Sequence, residues 1–203
     1  MNHYTPLKIA VRVVVYSLFI LGLAEIVMLD AMFPLVDGYF GEISRTEFSQ
    51  EFILLLLVIF YMLLGNWHRP IKPVSTIIAL FLLISLIREL NFLIPTWWIY
   101  PVLLVLAVIS WLVWRDFSKL RKATMEFFAQ PASVWFFSGI LVTFVFSRLM
   151  GRSKFWLLMY DESNYRMAKA AVEESIELMG YGLMLLSAVE FALVYFFGKK
   201  RDE

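Results

Sequence analysis

The sequence contains no cysteine, which excludes disulfides, thiolate-bound metals, iron–sulfur clusters and cysteine nucleophiles. It has only two histidines, His3 and His68, and both lie near predicted chain ends or loops, which argues against paired-histidine haem ligation inside a bilayer. Glycine-rich phosphate loops and the G-x-S-x-G and H-E-x-x-H motifs are also absent. The sequence therefore carries no common enzyme signature, which favours a protein that is not an enzyme without deciding the question.

Charge is scarce as well, since charged side chains make up 17% of the 203 residues and apolar side chains 61%. Soluble domains usually have about 25% charged and about 45–50% apolar residues. The mean hydropathy of +0.76 is correspondingly high. We therefore predict an integral membrane protein, with residues 1–203 forming a single polytopic membrane domain.

Six apolar runs are long enough to cross a bilayer, whose hydrocarbon core of about 30 Å takes about 20 helical residues. The runs are continuous rather than alternating, so they predict spanning helices and not barrel strands. The predicted spans are approximately 9–29, 48–67, 74–93, 97–114, 134–149 and 178–198. Between the last two spans, residues 151–165 are expected to form an interfacial amphipathic segment, and the last helix is expected to begin early, near Ser163. The fold class is an all-α bundle of about six transmembrane helices.

Orientation follows from the basic residues, because short cytoplasmic loops are enriched in Lys and Arg. Eleven of the eighteen basic residues fall on one side of the predicted spans, namely Lys8, Arg12, Arg69, Lys72, Arg115, Lys119, Arg121, Lys122, Lys199, Lys200 and Arg201. We predict that both termini are on this side, which is the cytoplasmic side. The expected location is the plasma membrane, or the inner membrane if the source is bacterial.

Ionisable residues from five of the six spans fall near the opposite, outer boundary. Charges within a span are costly, so they usually face the bundle interior or water and pair with one another. The candidate ligand-binding or ion-binding residues are Glu25, Glu47, Glu51, Arg88, Glu89, Arg148, Glu173 and Glu177. The alternative interpretation is that several of them, Glu47, Glu173 and Glu174 above all, are only solvated acids near helix N-termini, where the helix dipole favours them.

Glu190 is a separate case because it lies about twelve residues into the last predicted span, which is about 18 Å from its outer end. It is a candidate proton relay, and the alternative is a neutral carboxyl that donates one interhelical hydrogen bond. Arg12, in contrast, lies near a helix end and is expected to reach the cytoplasmic headgroups.

These observations predict a small transporter-like or ligand-handling protein with a Glu/Arg site that opens to the outer face. Its ligand would be a cation, protons or an anionic lipid headgroup. One alternative is a non-catalytic accessory or assembly subunit of a membrane complex, and another is a carboxylate-metal enzyme acting on lipid. The pairs Glu47/Glu51 and Glu173/Glu177 have i, i+4 spacing, which allows their carboxylates to bind a divalent cation. The expected partners are the lipid bilayer and a second copy or another membrane subunit, without nucleic acid.

Overall fold

The computed structural model describes residues 6–35, 39–41, 43–93 and 95–197, and the regular elements among them are all helical. Among these residues, six helices are long and apolar enough to cross a membrane, and each predicted span overlaps one of them. The prediction of an all-α chain with six candidate spans is therefore confirmed. His3, the predicted break at residues 37–38 and the basic residues 199–201 lie outside the described residues.

The described residues form eight α-helices, joined in places by short 3-10 or π-helical turns. The helices are α1 Pro6–Met32, α2 Arg45–Trp67, α3 Lys72–Glu89, α4 Ile99–Ala129, α5 Ala132–Leu141, α6 Ser147–Met150, α7 Ser153–Trp156 and α8 Tyr165–Phe197. The 3-10 turns Arg69–Ile71 and Leu90–Phe92 precede and follow α3, and a π-helical turn at Val142–Phe146 joins α5 to α6.

Local sequence accounts for where several helices begin. Ser44 is the N-cap of α2, and its hydroxyl accepts a hydrogen bond from the backbone N–H of Glu47 at 3.1 Å, as the S-x-x-E spacing indicates. Pro73 lies in the first turn of α3, where a proline's missing N–H is not needed. The last helix begins at Tyr165, close to the start expected from Ser163.

Helix α8 is the centre of the bundle and contacts α1, α2, α5, α6 and α7. Within its candidate span 61% of the residues are buried, compared with 11% for α1 and 6% for α4. Helix α3 packs against α2, and α4 packs against α3 on the periphery. Buried side chains of α8, including Tyr181, Met184 and Phe191, form the core with those of α2, α3 and α5.

The two ends of the bundle differ in their polar residues. Helices α2 and α8 begin, and α3 and α6 end, at one end of the bundle, which we call the acidic end. Gln50, Arg88 and Arg148 contact α8 there. We call the opposite end the basic end. There, His68 after α2 packs against Tyr195 of α8 in a tilted ring pair, with centroids 4.4 Å apart.

Helix α4 departs from the prediction, which ended it at Trp114 and placed the basic residues after it in a loop. The helix continues to Ala129, with a kink at Asp116, where the backbone leaves helical geometry (φ −115°, ψ 26°). It continues because this part is amphipathic: Ala123 and Phe127 are buried, and Phe127 stacks on Phe191 of α8 with centroids 4.7 Å apart. The basic residues of this region therefore project from a helix.

The contact between α5 and α8 depends on two glycines. A methyl group added at Gly139 would lie 2.6 Å from the carbonyl oxygen of Gly180 and 2.6 Å from Met184 Cγ. A methyl group added at Gly180 would collide with the Thr143 hydroxyl and lie 3.0 Å from the Gly139 carbonyl oxygen. Small residues that allow such close approach are typical of helix contacts in membrane proteins.

We predict that Gly180→Ala lowers the free energy of unfolding by about 1–3 kcal/mol, because the new methyl group overpacks the α5–α8 contact. The matched control is Gly22→Ala, since no atom lies within 4 Å of a methyl group at Gly22. That change should leave stability equal or slightly higher, because alanine favours a helix over glycine. Denaturant unfolding in detergent measures both variants, and equal effects would refute the packing explanation.

Candidate functional site

Glu177 is the centre of a polar network at the acidic end, and only 3% of its surface is exposed. The Ser147 hydroxyl donates a hydrogen bond to Glu177 Oε1 at 2.9 Å, and Arg148 Nη2 donates to the same oxygen. The other oxygen, Oε2, lies 3.5 Å from Arg88 Nη2. One buried carboxylate of α8 therefore joins α3 and α6.

The two arginines extend this arrangement to further carboxylates. Arg88 Nη2 lies 2.5 Å from Glu89 Oε1, which also accepts a hydrogen bond from the Tyr181 hydroxyl at 3.3 Å. Arg148 Nη1 lies 3.3 Å from Glu173 Oε1, and Lys169 Nζ lies 3.5 Å from Glu173 Oε2. We call this set the Glu177 network, and its members are Arg88, Glu89, Ser147, Arg148, Lys169, Glu173, Glu177 and Tyr181.

Two further carboxylates lie beside the network. Glu174 accepts two hydrogen bonds from Gln50 Nε2, one on its side-chain Oε2 at 2.9 Å and one on its backbone oxygen at 3.0 Å. Glu51 is close enough to Glu89 for the two carboxylates to repel each other. Gln50 is fully buried, and its Oε1 has no hydrogen-bond partner among the described residues. The site therefore holds a buried oxygen that can accept a hydrogen bond or coordinate a cation.

Among the charged groups named above, negative charge exceeds positive charge. The carboxylates are Glu51, Glu89, Glu173, Glu174 and Glu177, and the cations are Arg88, Arg148 and Lys169. Five carboxylates against three cations leave a formal surplus of two negative charges when all are ionised. Each arginine already contacts two carboxylates.

The structure brings together most of the residues predicted from sequence, but not all of them. Arg88, Glu89, Arg148, Glu173 and Glu177 are joined directly, and Glu51 lies beside them. Glu25 and Glu47 also belong to the predicted set, but they are not members of the Glu177 network. Glu25 is exposed on α1, and no ion pair within the described part of the chain includes it. Glu47 lies in the capped first turn of α2.

Glu190 belongs to the basic end and is not an isolated carboxylate. Its Oε2 lies 2.9 Å from Arg12 Nη1, and its Oε1 accepts a hydrogen bond from the Tyr16 hydroxyl. Arg12 therefore does not simply extend toward headgroups as expected. The physical reason is that α1 begins and α8 ends at the same end of the bundle, which places Arg12 and Glu190 at the same height.

We predict that Arg12 and Glu190 stabilise the fold as a coupled pair. Arg12→Gln and Glu190→Gln should each destabilise the protein, and the double variant should lose less than the sum of the two single losses. The expected interaction energy is about 1 kcal/mol or more, as for contacting charged residues. A double-mutant cycle of unfolding free energies measures it, and strictly additive losses would contradict the pairing.

Asp30 is a buried polar residue that the sequence analysis did not single out. It is 1% exposed and accepts hydrogen bonds on Oδ2 from the backbone N–H and the hydroxyl of Thr46, both at 2.6 Å. Its Oδ1 accepts from the backbone N–H of Arg45 at 3.0 Å. An acid in the last turn of a helix interacts unfavourably with the helix dipole. This position was the one feature of the sequence that indicated a structural contact for Asp30. It joins the end of α1 to the start of α2.

In the part of the chain that the structure describes, no group of three or more His, Asp or Glu side chains is placed to hold a metal ion. Glu173 and Glu177 form one of the two pairs that were candidates for binding a divalent cation. Both form ion pairs with Arg148 instead. The carboxylate-metal enzyme therefore gains no support from the geometry.

Comparison of the chain with known protein families, with curated proteins and with solved structures found no match. Its function has to be inferred from the site itself.

Proposed function

We propose that the protein is a multi-pass integral membrane protein of a transporter-like, ligand-handling kind, and that its acidic end binds protons or a small cation. Six helices of sufficient length and apolarity support the membrane location. The concentration of Lys and Arg at the basic end supports cytoplasmic termini, which makes the acidic end the outer one. The membrane would be the plasma membrane, or the inner membrane of a bacterium.

The observation that carries the proposal is the buried Glu177 between Arg88 and Arg148. A buried ion pair is often no more stabilising than apolar residues of similar volume, so stability alone is a weak reason to place charges here. Ionisable residues inside membrane helices are costly and usually belong to ion or proton pathways. A network that joins three helices through one carboxylate would also transmit a change in its charge to all three.

The charge balance favours a cationic ligand over an anionic lipid headgroup. Both arginines are already bound by carboxylates, so neither is available to an anion without breaking an ion pair. Glu51 and Glu174 add negative charge beside them, and the unpartnered Gln50 Oε1 offers a neutral oxygen ligand. Protons or a hard cation would offset the surplus.

Equilibrium unfolding in a neutral detergent tests this proposal. The probes are protons, by lowering the pH from about 8 to about 5, and Na⁺, K⁺, Mg²⁺ and Ca²⁺ at constant ionic strength. A ligand that binds the folded state raises its stability, so lower pH or one of the cations should raise the unfolding midpoint.

Glu51→Gln/Glu174→Gln should abolish that response, whereas the control Glu162→Gln should retain it, because Glu162 is exposed between α7 and α8. The proposal fails if no probe raises the midpoint of the wild type, or if the double variant responds as the wild type does.

One observation favours a second function, that of an accessory subunit. Glu25 is exposed on α1, a helix with only 11% of its candidate span buried. A carboxylate facing lipid is costly, so a helix of a second copy or of another membrane subunit would cover it. Crosslinking in native membranes from a cysteine introduced next to Glu25 tests this. A partner captured by this cysteine variant, but not by the same variant with Glu25→Leu added, would support the subunit function, and no capture would reject it.

A further inference from the structure

A cavity of about 330 Å³ lies at the basic end, between the start of α3 and the kinked part of α4. Its wall combines four basic side chains and one carboxylate with apolar side chains. The charged residues are Arg69, Lys72, Arg115, Lys119 and Asp116. This cavity is at the opposite end of the bundle from the Glu177 network, so nothing in the proposed function uses it.

The kink of α4 organises one side of the cavity. Asp116 Oδ2 accepts hydrogen bonds from Arg115 Nε at 2.8 Å and Nη2 at 2.7 Å, and Oδ1 accepts from Lys119 Nζ at 3.1 Å. The Arg115 guanidinium also lies over the Trp111 ring, 4.1 Å from its centroid. Arg115 and Lys119 therefore both contact Asp116 at the cavity, and both side chains remain exposed to solvent.

Arg69 and Lys72 form the other side, in the 3-10 turn before α3 and at the first residue of α3. No ion pair among the residues that the structure describes includes either of them. Four cations against one carboxylate leave a formal surplus of three positive charges around the cavity. This excess is the reverse of the one at the acidic end, and it favours an anion as the ligand.

We propose that this cavity binds a phosphate-bearing anion, with Arg69 and Lys72 as its main ligands and Arg115 and Lys119 closing the site. Arginine and lysine are the usual partners of phosphate oxygens, through charge-assisted hydrogen bonds. The shared chemistry is the phosphoryl group, which either an anionic phospholipid headgroup or free phosphate supplies.

The lining favours the lipid as the source. Ile77, Leu112 and Leu120 form apolar walls beside the cations. Arg115 is the first charged residue after the apolar part of α4, so the cavity lies where apolar helix surface meets the first charges. In a membrane this is the headgroup level, where basic pockets between helices bind anionic lipids.

Binding measurements on the purified full chain in neutral detergent test the proposal. The probes are dioctanoyl phosphatidylglycerol, dioctanoyl phosphatidylcholine and inorganic phosphate. Arg69→Gln/Lys72→Gln should raise the Kd of phosphatidylglycerol about tenfold or more. Arg115→Gln/Lys119→Gln is the second variant, in case the first fails to fold. The matched control is Arg121→Gln/Lys122→Gln, which removes two exposed cations of α4 that do not line the cavity.

Each outcome is decisive. Phosphatidylglycerol binding that both cavity variants weaken and the control retains supports the site and identifies the lipid as the source. Phosphate binding with the same variant dependence supports the site with free phosphate as the source. Equal losses in the cavity variants and the control would reduce the effect to general surface charge and overturn the proposal. Phosphatidylcholine binding as tight as that of phosphatidylglycerol, or no loss in any variant, would also overturn it.

Discussion

Glu177→Ala is expected to lower the free energy of unfolding by about 2–4 kcal/mol, because a buried carboxylate that accepts charge-assisted hydrogen bonds from two half-exposed arginines is lost. The change deletes the one carboxylate that lies between Arg88 and Arg148. Arg148 would keep only its contact with Glu173, and the Ser147 hydroxyl would lose its carboxylate acceptor. Denaturant unfolding in detergent, with Glu162→Ala as an exposed acidic control, measures the loss.

A double variant separates charge from packing at this position. Arg148→Leu/Glu177→Leu removes both members of the closest pair and fills the space with apolar atoms, so it should recover much of the stability that Glu177→Ala loses. Such recovery would show that the unpaired charge, and not the lost volume, causes the damage. A double variant as unstable as Glu177→Ala would contradict this explanation.

Asp30→Ala is expected to cost about 2–4 kcal/mol, because a helix cap is lost and buried donors are left unsatisfied. The carboxylate accepts hydrogen bonds from the backbone N–H groups of Arg45 and Thr46 and from the Thr46 hydroxyl. Asp30→Asn should cost less, since the amide keeps one acceptor oxygen. Unfolding free energies in detergent measure both variants.

Glu25→Ala is the matched control for Asp30, because it removes a carboxylate from the same helix at an exposed position. It should leave stability unchanged or higher. Equal losses at the two positions would mean that Asp30 acts only through the general charge of α1 and not as the cap of α2.

The helices were predictable from sequence because apolar runs of this length have few alternatives in a chain with so little charge. The end of α4 was not predictable in the same way. Its segment after Trp114 carries six charged residues, which is typical of a loop. Its helical form depends on Ala123 and Phe127 packing against the bundle. Tertiary contacts of this kind override a charge pattern.

The sequence predicted at which height in the membrane the site residues lie, but not which side of each helix faces the bundle. Arg88 and Arg148 lie at the ends of α3 and α6, and Glu177 lies just before the apolar run of α8. The sequence therefore predicted these three residues at one height, and they are in contact. Glu25 and Asp30 show the limit. They are five positions apart, so they project about 140° apart around α1. Without the packing of α1 against the bundle, sequence cannot tell which of the two is buried.

Ion flux into proteoliposomes tests the central claim that the Glu177 network handles protons or a small cation. An inside-negative potential is applied to vesicles that contain the protein and a dye. A pH-sensitive dye reports the entry of H⁺, and a Na⁺-sensitive dye reports the entry of Na⁺. We predict entry of one of these ions above the rate of protein-free vesicles, at least about tenfold slower in folded Glu177→Gln and unchanged in Glu162→Gln. Equal entry in wild type and Glu177→Gln, or no entry above protein-free vesicles, would contradict the claim.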